Sequence, residues 1–315
     1  MTAWRTAICA RNGAREGIRT PNLLIRRFTG LLIVYDRQMK TAESTIQLIA
    51  KFNILKRFLN KTNFLSFEAK YNLGILNNNY IYAHLVFEAA KAAKNLGIKR
   101  ITVIEFGVAG GNGLIQFENI STKVEKYTGV SIDVIGFDTG TGLPEVTDYR
   151  DLPYVWQRGH YPMDIQLLKS KLTKAKLVLG NISETLEKFI EDFNPAPIAA
   201  ISFDLDLYSS TRDAFKLLES HEKYFLPRVL CYFDDIMGGN LELYNEYTGE
   251  RLAINEFNDN SKSRKICPVT YLEKINRDYY GKNISFHSIY SFHIFNHSMY
   301  NNYLSLELGN GLELK

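Results

Sequence analysis

A short run of β-branched and aromatic residues ending in glycine or aspartate, then a stretch with helical spacing, recurs along residues 100–235. Five strands are predicted: Arg100–Gly107, Val130–Asp138, Ala175–Asn181, Ile198–Asp204 and Arg228–Asp235. Helices are predicted between them, from about Gly113 after the first strand, then at Ser183–Phe193 and Ser210–His221. A further helix, Asn79–Gly97, precedes the first strand, rich in Ala and with Gly97 placed to cap its end. Alternation of this kind specifies a parallel sheet with helices on both faces. The expected fold class is therefore α/β, a doubly wound, mostly parallel seven-stranded sheet.

The tail changes character. Asn283–Phe295 and Tyr303–Leu308 read as strands with no helix between them, which predicts an antiparallel pair at the sheet's C-terminal edge. Residues 40–75 read as short helices, so residues 39–98 are expected to form a helical extension or cap before a main domain at 99–315. His287, His293 and His297 have the alternating spacing of one exposed strand face rather than of a metal site.

The first 38 residues use a different vocabulary. They hold seven Arg, no Lys and two acids, whereas the rest of the chain holds 22 Lys and nine Arg against 32 acids. The stretch Gly13–Arg26, GAREGIRTPNLLIR, resembles a peptide produced when a tRNA gene is translated as an upstream reading frame. Residues 1–38 are thus expected to be non-native or disordered, with Met39 as the true start; an Arg-rich transit peptide is the rival reading. With the head set aside, the body is close to neutral, which argues against a nucleic-acid partner. No apolar run approaches the roughly 20 residues of a membrane span. Three scattered cysteines, Cys9, Cys231 and Cys267, fit a reducing, cytoplasmic compartment better than a disulfide framework.

In a sheet of this kind the ligand crevice lies at the carboxyl ends of the strands. Four motifs fall there. Val103–Gly113, VIEFGVAGGNG, is a glycine turn that lets backbone approach a ligand, followed by the free N–H groups of a helix start. Its acid, Glu105, suits a cationic amino group better than a dinucleotide pyrophosphate. Val134–Pro144, VIGFDTGTGLP, places Asp138 at the end of the second strand, where an acid can hold ribose hydroxyls. Ser202–Thr211, SFDLDLYSST, and Cys231–Gly239, CYFDDIMGG, end neighbouring strands in carboxylates. Asp204, Asp234 and Asp235 gathered in one place repel unless a cation or shared protons compensate, and Mg²⁺ accepts such ligands.

These motifs resemble the class I S-adenosylmethionine (SAM)-dependent methyltransferases, and more narrowly the metal-dependent macrocin-type sugar O-methyltransferases. The resemblance covers about Ile101 to Gly239, and its narrow signal is GFDTGTGLP, DLDLYSST and FDDI at their spacing. It implies that Glu105, Gly107 and Gly111 contact the methionine part of SAM and that Asp138 holds the ribose. Gly180 and Asn181 would lie beside the adenine, and Asp204, Asp234 and Asp235 would bind Mg²⁺. Asp206 is the candidate general base. Three positions depart from the family pattern: Leu205 replaces a glycine, Gly140 an aromatic residue and Ile236 a tyrosine. They touch the acceptor side and so bear on sugar specificity more than on SAM.

The implied reaction is Mg²⁺-assisted O-methylation of a hydroxyl on a small-molecule acceptor, a sugar or glycan among the candidates. The acceptor site is expected from residues 40–80, Tyr149–Asp164 and Glu242–Tyr280, with Tyr154–Asp164 as a lid. A homo-oligomer remains open. The rivals are an NAD-dependent oxidoreductase and a SAM-binding protein without catalysis. The first leaves the acids after strands four and five unexplained; the second would tolerate loss of Asp204 or Asp234.

Overall fold

Seven strands form one sheet, and the reason lies in their composition. β1 (Arg100–Phe106) and β4 (Ile198–Phe203) are buried along almost their whole length, as strands covered on both faces must be. In a computed structural model, which describes residues 57–302 except 63, 73–75, 77–79, 147, 274, 275, 280 and 281, they lie at the sheet's centre. With β2 (Ser131–Asp138), β3 (Lys176–Leu179), β5 (Phe225–Phe233), β6 (Arg264–Pro268) and β9 (Ile289–Ile294), the order is β3-β2-β1-β4-β5-β9-β6. Every pair is parallel except those of β9, which runs antiparallel to both β5 and β6.

The expected α/β sheet and its antiparallel edge are thus present. The partner of β9 at the edge is β6, from a segment where no strand was predicted. The predicted strand Tyr303–Leu308 lies outside the described residues, as do residues 1–38, the Met39 start and residues 40–56. A separate hairpin, β7 (Asn276–Tyr279) with β8 (Lys282–Ser285), precedes β9. Among the described residues no helix is long and apolar enough to cross a membrane.

Alternation along the strands sorts the core onto two faces. On β1, Ile101 and Val103 pack beneath α2 (Tyr80–Asn95), which follows the short α1 (Phe67–Asn72), and α3 (Asn112–Thr128). Ile104 and Phe106 face the other way, toward α5 (Ile182–Phe193), α6 (Tyr208–Phe215) and α7 (Gly249–Asn260). The short α4 (Ile165–Lys171) precedes β3.

One row of this second face positions everything that follows. Phe106, Phe137, Phe203 and Phe233 are register partners on adjacent strands. Their rings lie 5.0 Å (Phe106–Phe137), 5.5 Å (Phe106–Phe203) and 4.7 Å (Phe203–Phe233) apart, each pair contributing about 0.5–1.5 kcal/mol beyond its area. The next residue on each strand is Gly107, Asp138, Asp204 or Asp234. Backbone ladder bonds run on past the phenylalanines, from Gly107 N to Phe137 O (2.9 Å), Asp204 N to Phe106 O (3.0 Å) and Asp234 N to Phe203 O (3.0 Å). Four packed rings thereby align four polar strand ends.

The entry to β3 is held by one buried carboxylate. Glu118 of α3 accepts the Thr173 hydroxyl and the N–H groups of Thr173, Lys174 and Ala175. Burial alone would raise this carboxyl, but the bonds from Thr173, Ala175 and Lys174 outweigh it and hold it below its ordinary value. Glu118→Ala is expected to lower stability by about 2–3 kcal/mol at pH 7 in urea unfolding, because it strands several donors. A folded value below the unfolded one makes this contribution full above the ordinary carboxylate range and lost as pH falls through the folded value. The difference between variant and parent should shrink in that acidic window; a constant difference would refute the carboxylate's role.

Candidate active site

The aligned strand ends open into a cavity of about 400 Å³ lined by Gly107, Asp138, Asn181 and Ile182 on one side and Asp204, Asp206, Asp234 and Asp235 on the other. A second cavity of about 340 Å³ lies on the glycine-turn side, lined by Tyr82, Glu105, the turn itself and Gln116. Both include Gly107, Ala109, Asp204 and Asp234 in their linings, so they adjoin along one crevice.

The turn after β1 needs its first glycine. Gly107 has φ +83°, and a Cβ there would lie 1.7 Å from the Asp204 carbonyl oxygen. At the start of α3, a Cβ on Gly111 would collide with Leu168. Asp138 braces the turn: its Oδ2 accepts from Val108 N (2.9 Å) and Ala109 N (2.8 Å), and its Oδ1 from Gly140 N (2.6 Å). A carboxylate offers about four acceptor sites, so much of the predicted ribose ligand is already used to fasten the turn to β2. A Cβ on Gly140 would lie 3.1 Å from Ile165 Cδ1 and 3.3 Å from Leu179 Cδ2, so a larger residue there would have to displace both side chains.

Glu105 lies on the α2/α3 face of β1, 2% exposed. Its Oε1 accepts from Tyr82 Oη at 2.8 Å, and its Oε2 is buried without a hydrogen-bond partner among the described residues. Burial pushes this carboxyl up to about 8, the Tyr82 bond opposes the shift and Asp138 adds to it. Beyond β3, Gly180 has φ +136° and Asn181 caps α5 through Ser183 N at 3.2 Å. Asn181 lines the larger cavity, and Gly180 adjoins it in sequence.

The acids after β4 and β5 do meet. Burial, then Asp234, Asp235, Asp206 and Glu105 in that order, raise the Asp204 carboxyl well above its ordinary value. Asp206 is 9% exposed and sits at φ +59° in a tight turn closed by Leu207 N to Leu205 O at 2.5 Å. Such a conformation is strained for a residue with a side chain, and strain of this kind collects at functional sites. Burial, then Asp235 and Asp234, raise the Asp206 carboxyl to about 8. Asp235 accepts Asp206 N on Oδ2 and Tyr244 Oη on Oδ1, both at 2.8 Å. Burial raises it to about 6 against the Tyr244 bond. Asp234 accepts the Tyr232 hydroxyl. Among the described residues no three His, Cys, Asp or Glu side chains stand in metal-binding geometry as a group.

Several residues of the site carried no sequence signal. Tyr82 comes from the predicted helix Asn79–Gly97, part of the expected helical extension and given no site role. Tyr232 sits on β5 two residues before the Asp234 it binds. Glu250, fully buried at the start of α7, accepts Asp235 N at 3.0 Å. The aromatic segment Tyr154–Asp164 does border the cavity, through Trp156, His160 and Tyr161. It is pinned to the GLP loop by Leu143 N to His160 O (2.8 Å) and Gly159 N to Leu143 O (2.9 Å). From the 242–280 stretch, Glu242 and Tyr244 line the cavity. Ile236 is buried in the core, and Leu205 is buried in the core while also lining the larger cavity. His293 bonds Tyr300 Oη at 2.9 Å and His297 bonds the Phe225 carbonyl at 3.2 Å, so both serve the edge of the sheet.

The described residues thus form a doubly wound α/β sheet of seven strands, with one reversed strand between β5 and β6 and a glycine turn after β1. No protein-family model and no curated protein matches the chain. Among solved structures it is similar to CalS11, described as a calicheamicin methyltransferase, at 22% identity over 70% of this chain and 86% of that one, with a TM-score of 0.45. A second structure, apo CalS11, described as a TDP-rhamnose 3′-O-methyltransferase, shares 20% identity over 82% and 96%, with a TM-score of 0.40. The O-methyltransferase NovP shares 13% identity over 78% and 98%, with a TM-score of 0.45.

Proposed function

We propose that this chain is a SAM-dependent O-methyltransferase acting on a hydroxyl of a small-molecule acceptor, a sugar or glycan first among the candidates. The observation that carries this reading is the single crevice: a glycine turn with a buried, half-satisfied glutamate opens directly onto a cluster of carboxylates. The glutamate and turn suit the ammonium end of SAM, Asp138 its ribose, and Gly180 and Asn181 its adenine side. A pyrophosphate would meet Glu105 instead of a cation, which disfavours NAD.

The carboxylates offer the oxygen donors a hard divalent cation takes, and the raised Asp204, Asp206 and Asp235 carboxyls would gain from a positive charge, but the group would have to converge from its arrangement here to bind one. Asp204, Asp234 and Asp235 would hold it, and Asp235 would first exchange its bonds to Tyr244 and Asp206. Bound Mg²⁺ would supply Lewis acidity, lowering the pKa of the acceptor hydroxyl. The chain's own part is alignment and proton transfer. The acceptor oxygen attacks the sulfonium methyl in line; the C–O bond forms, the C–S electrons return to sulfur, and S-adenosylhomocysteine (SAH) leaves neutral at sulfur. Asp206 takes the hydroxyl proton, and a carboxyl raised toward neutrality suits that task. Among the described residues the larger cavity includes no Lys or Arg in its lining. Acceptors without phosphate are therefore favoured over phosphorylated ones.

Calorimetric titration of SAM and of NADH into the full chain, with and without Mg²⁺, tests the class. Binding of SAM and not NADH is the expected result. Binding of NADH alone would overturn the reading, and binding of neither would favour a non-catalytic role.

A further inference from the structure

The smaller cavity holds a second unsatisfied acceptor that no motif supplied. Gln116 Oε1 is buried and, like Glu105 Oε2, has no hydrogen-bond partner among the described residues. Both residues line the same cavity, whose lining includes no Lys or Arg among the described residues. They reach it from different elements, Glu105 from the end of β1 and Gln116 from one turn inside α3. Buried acceptors are normally paired, so two orphans in one pocket call for a donor. A ligand group with donors and no acceptor, carrying positive charge, satisfies both and offsets the glutamate; an ammonium group is that donor.

The geometry around Glu105 is built to leave one oxygen available. Tyr82 Oη donates to Oε1 at 2.8 Å, and its ring stacks on Phe117 with centroids 4.1 Å apart. Ser202 Oγ lies 3.5 Å from the same hydroxyl. A Cβ on Gly113 would lie 2.0 Å from Oε1, so the first turn of α3 passes directly against the carboxylate. Tyr82 thus fixes the side chain by one oxygen and Gly113 by proximity, and Oε2 is what remains.

Resting on the SAM reading above, we infer that Gln116 contacts the α-ammonium group at the amino-acid end of the cofactor alongside Glu105, and that Tyr82 is a positioning residue for Glu105. The cofactor is thereby recognised at its amino-acid end by a helix residue outside the glycine turn.

The test compares SAH with 5′-methylthioadenosine, which keeps adenosine and sulfur but lacks the amino-acid end, by calorimetry on the full chain. Gln116→Leu is expected to weaken SAH at least about ten-fold and to leave methylthioadenosine within about two-fold. Tyr82→Phe should weaken SAH by about three- to ten-fold with the same selectivity, which a merely structural role would not show. Gln116→Glu keeps an acceptor and should retain SAH. The inference is overturned if Gln116→Leu binds SAH like the parent, if Gln116→Glu loses it, or if both ligands weaken together. A parent chain that binds neither ligand would overturn the SAM reading itself, a failure visible before any variant is made.

Discussion

Asp234→Ala is expected to slow methyl transfer about a hundred- to a thousand-fold while SAH binding stays within about two-fold. The asymmetry follows from position. Asp234 is exposed at the end of β5, held there by its ladder bond to Phe203, and among the described residues its carboxylate receives only the Tyr232 hydroxyl. Truncation leaves the row of phenylalanines and the glycine turn intact, so fold and cofactor site should survive. What is lost is one of three carboxylates proposed to hold the cation. Chelation of divalent metal with EDTA should bring the parent to the variant's rate and leave the variant unchanged, since two perturbations of one interaction do not add. Equal turnover of parent and variant, or a further fall of the variant with EDTA, would remove the metal role from Asp234.

The strand ends were legible because the same local pattern repeats: an apolar run, a phenylalanine, then glycine or aspartate. The register that sets Asp138, Asp204 and Asp234 beside Gly107 could have been read from those phenylalanines. Other boundaries were not legible. β5 begins at Phe225 rather than Arg228 because Pro227 sits at an irregularity in the pairing with β4, where proline is tolerated. β6 and α7 were missed because their segments mix polar residues with few strong formers, and packing against β9 and α6 decides their form. The side chains that tune the acids were hidden for a different reason. Tyr82 and Glu250 sit on helices, and whether a tyrosine or glutamate there faces a carboxylate or a neighbour's backbone depends on inter-element geometry that spacing does not encode. The use of Asp138 to fasten the β1 turn was likewise invisible, since sequence shows an acid at a strand end but not which donors reach it first.

Gly107→Ala tests whether the crevice depends on backbone closeness rather than on the acids alone, and it should be among the most damaging single substitutions in the chain. The new Cβ would lie 1.7 Å from the Asp204 carbonyl oxygen and 2.7 Å from its carbon, at φ +83°. Real contacts stop near 3 Å, so one strand end must shift by more than an ångström. Neither is free to do so: Gly107 N is tied to Phe137 O and Asp204 N to Phe106 O, directly behind the stacked rings. A stability loss of about 3–5 kcal/mol is expected in urea unfolding, with SAH binding lost. Gly97→Ala supplies the comparison. Gly97 follows α2 at φ +76°, and a Cβ there meets nothing within 4 Å, so only the left-handed backbone is penalised, about 1–2 kcal/mol. The difference between the two variants isolates the clash. If Gly107→Ala proved no worse than Gly97→Ala and still bound SAH, the ends of β1 and β4 would not be pressed together. The acids of β4 would then stand farther from the glycine turn than a single crevice for cofactor and acceptor requires.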